Sequence, residues 1–485
     1  MVFNTWQFVL FFPLVTLAFF ALAPANRRRL LLAASSLFYM AFIPQYILII
    51  FALILLDYTA ALLIESAHGG RRRTYLVLSI FGNLGMLGVF KYYNFFNHNL
   101  SALFGWMGMP YGVADLSLIL PIGLSFHTFQ SLAYTVEVYY GRYAAERSLP
   151  RYALYVLFYP QLVAGPIERP GNLLPQLDLT ARFDSERVTD GLKLMVWGLF
   201  KKMVIADRLA VVVNEVYGNP SQFNGPQFAI ATVFFAYQIY CDFSGYTDVA
   251  IGAAQVMGIR LITNFNRPYA ATFISDFWAR WHISLTTWFR DYLYAPIAGR
   301  RPAAVRRHAA TWLIFLTSGL WHGAAWNFVV WGALHALYLS VGMLTAMPRA
   351  RLAAVLGLTR IPRLRRALQV ATTFGLVCVS WVFFRANSLP DALTVLGGIP
   401  QGWASLSGGL AGVLGPMQLT VGSLAKAVVL IAVVEIVSSI NAGERMRRMF
   451  GHLPLLVRWP AYAGMIVAIL DFGATERIPF IYFQF

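Results

Sequence analysis

The sequence predicts an all-α, multi-pass membrane protein with about ten or eleven transmembrane helices. Three observations carry that expectation. Hydrophobic residues make up 58% of the chain and charged residues only 12%, against about 25% charged in a typical soluble domain. Mean hydropathy is +0.60. Apolar stretches of near-spanning length recur along the whole chain, separated by short basic clusters.

The formal net charge is +17, from 38 Lys+Arg against 21 Asp+Glu. In a membrane protein such an excess encodes topology, because cytoplasmic loops collect Lys and Arg. The basic clusters are short and scattered between apolar segments, which argues against nucleic acid as a partner. Cys241 and Cys378 sit in apolar surroundings and give neither a disulfide framework nor a CxxC metal signature. No basic run precedes the first apolar stretch and "RRR" follows it, so that stretch reads as a span rather than a cleaved signal.

In order, the apolar spans fall at about 7–24, 30–43, 46–64, 75–93, 117–140, 191–217, 227–258, 367–385, 421–440 and 455–472. Several are shorter than the ~20 residues a straight span needs, so tilted and paired helices are expected. Arg27–Arg29, Arg71–Arg73, Lys201 and Lys202, Arg300, Arg301, Arg306, Arg307, Arg363–Arg366 and Arg445–Arg448 are expected at the cytoplasmic side. "IPQY" at 43–46 is then an outer turn, and 94–116 and 217–227 are outer loops.

The stretch 309–345 lies between two basic clusters, so it must enter the membrane and return. Its 37 residues are too few for two full spans and too many for one. Two half-depth helices meeting near "GLWHGAAW" resolve this, with His322 at the bottom of a pit open to the cytoplasm. A similar excursion is expected at 151–190, where four prolines interrupt "YPQLVAGPIERPGNLLPQ". With no repeat, low-complexity tract or linker, residues 1–485 read as a single membrane domain that ends in an extracytoplasmic tail, 473–485. At 276–292, "DFWARWHISLTTWFRDY", the aromatic residues fall on one face of a helix. The stretch therefore reads as an amphipathic helix lying at the cytoplasmic face.

Among eight histidines, His68, His98, His308 and His452 read as loop or span-end residues. His127 and His335 lie in spans, where a buried neutral imidazole bonded to a neighbouring helix is the plain expectation. His322 differs. It is an ionisable residue at a forced break in the membrane, flanked by Gly319 and Gly323, and such residues are functional candidates. No carboxylate or second histidine stands three or four positions away, so metal is not expected. No GxSxG elbow supports a serine triad.

Seven stretches together resemble the membrane-bound O-acyltransferase family, and within it the bacterial branch of alginate O-acetylation and teichoic-acid D-alanylation proteins. They are "LPIGLSFHTFQ" (120–130), "FYPQLVAGPIERP" (158–170), "WGLFKKMVIADRLA" (197–210), "YCDFSGYTDVAIG" (240–252), "NFNRPYAATFISDFWARWHISLTTWFRDYLYAPI" (264–297), "GLWHGAAWNFVVWG" (319–332) and "VFFRANS" (382–388). The resemblance implies that His322 is the family's membrane-embedded histidine and His282 its second one. It also implies a helical ring around a cytoplasmic funnel.

That resemblance and the pit agree on a chemistry. A cytosolic thioester, from acetyl-CoA or an acyl carrier protein, presents its carbonyl at His322, and an acceptor hydroxyl arrives from the other side. The thioester is already activated, so positioning and a base suffice, and no bound cofactor is expected. His322 is the candidate base. His282 is expected to orient the donor or to stabilise charge. Trp281 and Trp321 are candidate donor-lining residues, and Arg280 and Arg290 can meet donor phosphates; interfacial anchoring explains these arginines equally well. Asp242 and Asp248 read as helix-pairing or tunnel polar groups.

The terminal "IPFIYFQF" reads first as an interfacial aromatic belt. The resemblance adds a second reading, in which Tyr482 takes the acyl group and hands it to an exported SGNH-type acetyltransferase or a related periplasmic partner. The expected product is an O-acetylated exported polysaccharide, made by a multi-pass protein of the bacterial inner membrane among its lipids. Peptidoglycan or teichoic-acid acylation is the alternative within this class. A transporter or flippase of a lipid-linked or acyl substrate, or a non-catalytic scaffold, stands outside it. No inverted repeat supports a transporter.

Overall fold

Every regular element among the described residues of the computed structural model is helical. The described residues are 1–163, 165–299, 303–440, 455–472 and 479–481. The basic clusters expected at Arg300 and Arg301 and at Arg445–Arg448 lie outside them, as does His452. All ten expected spans carry helix. Among the described residues, five helices are long and apolar enough to cross a membrane, namely Pro44–Ser66, Gly70–Trp106, Trp326–Leu344, Pro362–Arg385 and Val421–Ile440. Trp6–Ala21 and Trp459–Asp471 are shorter apolar helices. This is an all-α, polytopic membrane protein. The expected outer loop at 94–116 is shorter than the sequence suggests, because the fourth span continues as helix to Trp106.

The chain divides into two compact units, Met1–Met195 with Tyr246–Thr263, and Val196–Gly245 with Asn264–Phe485. In the first unit, buried polar side chains tie helices together. Asp57 is fully buried and accepts from Ser79 Oγ at 2.6 Å and Asn83 Nδ2 at 2.9 Å. The Pro-rich stretch is broken as expected into short helices, Leu149–Leu157, Tyr159–Leu162 and Pro170–Leu173, with prolines in their first turns. Glu168 anchors it, accepting from Ile262 N at 2.7 Å and Asn172 Nδ2 at 2.6 Å. His127 is buried, but neither ring nitrogen makes a hydrogen bond among the described residues, contrary to the expected bonded imidazole.

The second unit holds the expected hairpin and corrects its dimensions. Its arms, Ala304–His322 and Trp326–Leu344, have 19 residues each, or about 28 Å at 1.5 Å per residue. They are near-spanning helices rather than half-depth ones. The estimate from 309–345 missed them because the first arm begins five residues earlier, on the basic run itself. The arms pack so closely that a Cβ on Gly319 would meet the Phe328 carbonyl, and one on Gly332 the Phe315 carbonyl.

The stretch 276–292 is corrected as well. It is not one amphipathic helix but Ile274–Trp278, a turn, Ile283–Phe289 and a wider turn at Arg290–Tyr294. Its aromatic face is buried in protein: Phe277 and Trp281 are at most 1% exposed. Lys201 and Lys202, expected at the cytoplasmic surface, are buried too, on a π-type turn at Phe200–Ala206. Such turns widen the helix locally and redirect side chains.

Candidate active site

The first arm of the hairpin ends at His322, and Gly323 follows in an extended conformation. A Cβ at Gly323 would strike the Phe328 ring, so only glycine lets the chain turn this close to the histidine. His322 is 4% exposed. Its imidazole lies edge-on among Trp321 (4.8 Å between centroids), Trp331 (5.0 Å) and Phe384 (5.2 Å).

His282 is held by a different device. It sits in the turn between the two short helices at φ 44°, ψ 54°, a left-handed conformation that L-residues adopt at a cost. A second segment enforces it. Asn264 O accepts from Ile283 N at 2.9 Å, Asn264 Oδ1 from Ser284 N at 3.2 Å, and Arg280 O from Asn266 N at 2.9 Å. His282 is fully buried, with Phe243 at 4.6 Å and Trp321 at 6.2 Å. The two histidines, 40 positions apart in the chain, therefore both stand against one indole, that of Trp321.

The other expected site residues separate from this pair. Trp281 belongs to an aromatic core with Phe265 (5.1 Å), Phe277 (5.6 Å) and Trp381 (5.1 Å). Arg280 Nε donates to Asp276 at 2.6 Å, and Arg290 Nε to Asp291 at 2.9 Å. Arg290 lines a largely apolar cavity of about 1540 Å³ together with Arg307, Arg349 and Arg365, and among the described residues no acidic side chain lines it; Arg280 does not line it. The cavity runs along the first hairpin arm from Arg307 to Ser318, one helical turn before His322. Neither histidine lines it. Tyr482 lies outside the described residues.

His335 has a structural role that its bonds define. Ser380 Oγ donates to Val377 O at 2.7 Å, so it accepts from His335 Nε2 at 3.0 Å, and His335 Nδ1 accepts from Trp278 Nε1 at 3.2 Å. This imidazole is neutral and fully engaged.

Sequence reasoning did not single out Phe243, Asn264 or Phe384 as site residues. All three lie inside the quoted stretches 240–252, 264–297 and 382–388, but no rule of spacing marks a phenylalanine or asparagine as a wall or a brace. Nor did it foresee that Lys202 Nζ sits 2.8 Å from Asp207 and 2.8 Å from Asp242. Asp242 is a helix-pairing group, as one of its two expected roles had it.

A sequence model of the membrane-bound O-acyltransferase family matches residues 143–362, which include both histidines. A probable alginate O-acetylase of Pseudomonas aeruginosa is 36% identical over 397 residues, 81% of this chain and 73% of that protein. A peptidoglycan O-acetyltransferase of Helicobacter pylori is 33% identical over 432 residues, 82% of this chain and 80% of its own. A teichoic acid D-alanyltransferase of Bacillus subtilis is 28% identical over 242 residues, 46% of this chain and 59% of its own.

Proposed function

The chain belongs to the membrane-bound O-acyltransferase family, and from that premise we propose that it carries acetyl groups from a cytoplasmic thioester to the hydroxyls of an exported polysaccharide. It is a membrane acyltransferase. The observation that carries the reading is the pair of buried histidines that both contact Trp321, inside the stretch that matches the family. The polysaccharide acceptor follows the names of the relatives, alginate O-acetylase and peptidoglycan O-acetyltransferase.

In this reading His322 is the general base. An acceptor hydroxyl attacks the thioester carbonyl, its proton passes to the imidazole, the C–S bond breaks as the C–O bond forms, and the imidazolium returns the proton to the leaving thiolate. A tyrosine acceptor (pKa ~10) and an imidazole (~6.5) differ by about 3.5 units, roughly 5 kcal/mol for full proton transfer. Proton loss is therefore concerted with attack. His282, which contacts the same indole, orients the carbonyl. Acetyl-CoA or an acyl carrier thioester enters along the arginine-bearing cavity, with Arg290 on its wall. Arg280 braces the turn that holds His282, and Trp281 packs behind it.

The acceptor within the chain is Tyr482, which passes the acetyl group as a phenyl ester to an exported SGNH-type transferase. Supporting this is the neighbouring tail: Phe480 and Ile481 are 1% exposed, and Phe480 packs 5.9 Å from Phe243, the ring that covers His282. The protein then resides in the bacterial inner membrane with its C-terminus on the outer side. The test is acetyl-CoA consumption by purified protein with hydroxylamine as a soluble acceptor. H322A is expected to lose at least 100-fold (about 2.7 kcal/mol) while eluting as a monodisperse species. An H322A protein as active as wild type would remove the base from His322.

A further inference from the structure

We propose that Lys202, Asp207 and Asp242 form a clamp that positions the C-terminal segment at the histidine pair. The three side chains are 2%, 5% and 3% exposed. One ammonium stands between two carboxylates, at 2.8 Å from each. Burying such a triad is expensive, and ion pairing alone rarely justifies it. This one has a further bond. Asp242 gives Oδ1 to Lys202, while its Oδ2 accepts the backbone N–H of Ile481 at 2.8 Å. Lys202 thus fixes the carboxylate, and the carboxylate fixes the tail.

The tail contact is specific in direction as well as place. Phe480 stacks edge-on against Phe243, one residue from Asp242 on the same helix. Phe243 also packs edge-on against His282, at 4.6 Å. The ring contact holds Phe480, and the buried carboxylate holds the backbone amide of its neighbour Ile481. The next residue is Tyr482. Lys201, adjacent in sequence, is engaged elsewhere and donates to Ser244 Oγ at 2.9 Å. The three clamp residues act through the tail, as positioning residues.

This rests on the reading of His322 and His282 as the reaction centre, and the experiment separates the two. I481P removes the donated N–H while leaving both ion pairs intact; I481V keeps the N–H and serves as the control. D242N is the second variant, although it leaves Lys202 short of one carboxylate. Three quantities are read with acetyl-CoA as donor: release of C-terminal residues by a carboxypeptidase, acetyl adduct on the C-terminal peptide by mass, and transfer to hydroxylamine. For I481P the expected result is tail release at least 10-fold faster, adduct down at least 10-fold, and hydroxylamine transfer within twofold of wild type. I481V is expected to match wild type throughout. Unchanged tail release or unchanged adduct in I481P overturns the clamp. So does an equal loss of hydroxylamine transfer, which marks the triad as general support for the site. A wild-type protein that forms no adduct sinks the Tyr482 relay, and the clamp is then judged on polymer acetylation in the same variants. Hydroxylamine transfer that survives H322A sinks the reaction-centre reading, whatever the tail does.

Discussion

His282 occupies φ 44° and ψ 54°, where a β-carbon is unfavourable by about 1–2 kcal/mol and asparagine is better tolerated than alanine. That strain separates the fold from the chemistry at one position. H282N is expected to melt within about 1 °C of wild type, H282A a few degrees lower, and both to lose most acetyl transfer. Thermal unfolding in detergent beside acetyl-CoA turnover checks it. An H282N protein with full activity would leave His282 as a turn residue only. His282 stood out in the sequence through the resemblance, and its conformation did not, because the strain is imposed by Asn264, eighteen positions earlier. His335 was legible as a bonded structural imidazole; its partners Trp278 and Ser380 were not, since they lie 57 and 45 positions away.

The hairpin Ala304–His322 and Trp326–Leu344 sets where His322 sits, and glycines set how close its arms come. A side chain at Gly332 must push against the Phe315 carbonyl, which a helix cannot withdraw. G332V is expected to cost about 1–3 kcal/mol of stability and about tenfold or more in turnover. Gly375, inside the helix Pro362–Arg385, is the control, because a Cβ there has no neighbour within 4 Å. G375V should retain near wild-type activity; equal damage from both would mean that helix propensity, not arm spacing, is at stake. The existence of the hairpin could be read from parity between basic clusters. The length of its arms could not, because "AVRRHAA" is polar and still helical. The stretch 276–292 failed for a related reason. Its aromatic periodicity is genuine, but a helical pattern only says that one face is buried. It does not say that the helix is unbroken, nor whether lipid or protein does the burying.

At the scale of the molecule, the net charge of +17 is distributed rather than pooled, and part of it lines one cavity: Arg290, Arg307, Arg349 and Arg365, with no acidic residue among the described lining. An anionic donor entering there would be drawn by charges that salt can screen. R307Q combined with R365Q is expected to raise the KM for acetyl-CoA about fivefold, at roughly 0.5 kcal/mol for each exposed charge, with kcat little changed. It should also flatten the rise of KM with ionic strength. Steady-state kinetics at two salt concentrations decides, and an unchanged KM would mean that the donor enters elsewhere.

The sequence by itself determined that the chain is helical, crosses a membrane several times and is an acyltransferase. Hydropathy is additive along a chain, and the motif stretches are local, so both survive without coordinates. It also marked His322, because an imidazole between glycines in an apolar run is costly wherever the run folds. Only the tertiary structure decided what surrounds it. Trp321 contacts both His282 and His322, Phe243 links His282 to the tail at Phe480, and Lys202 leaves the basic surface to pair with Asp207 and Asp242. Each of these depends on the packing of segments distant in sequence. A lysine beside a lysine in a sequence reads as a surface charge. It becomes a buried clamp only when two carboxylates are brought to 2.8 Å in a place water does not reach.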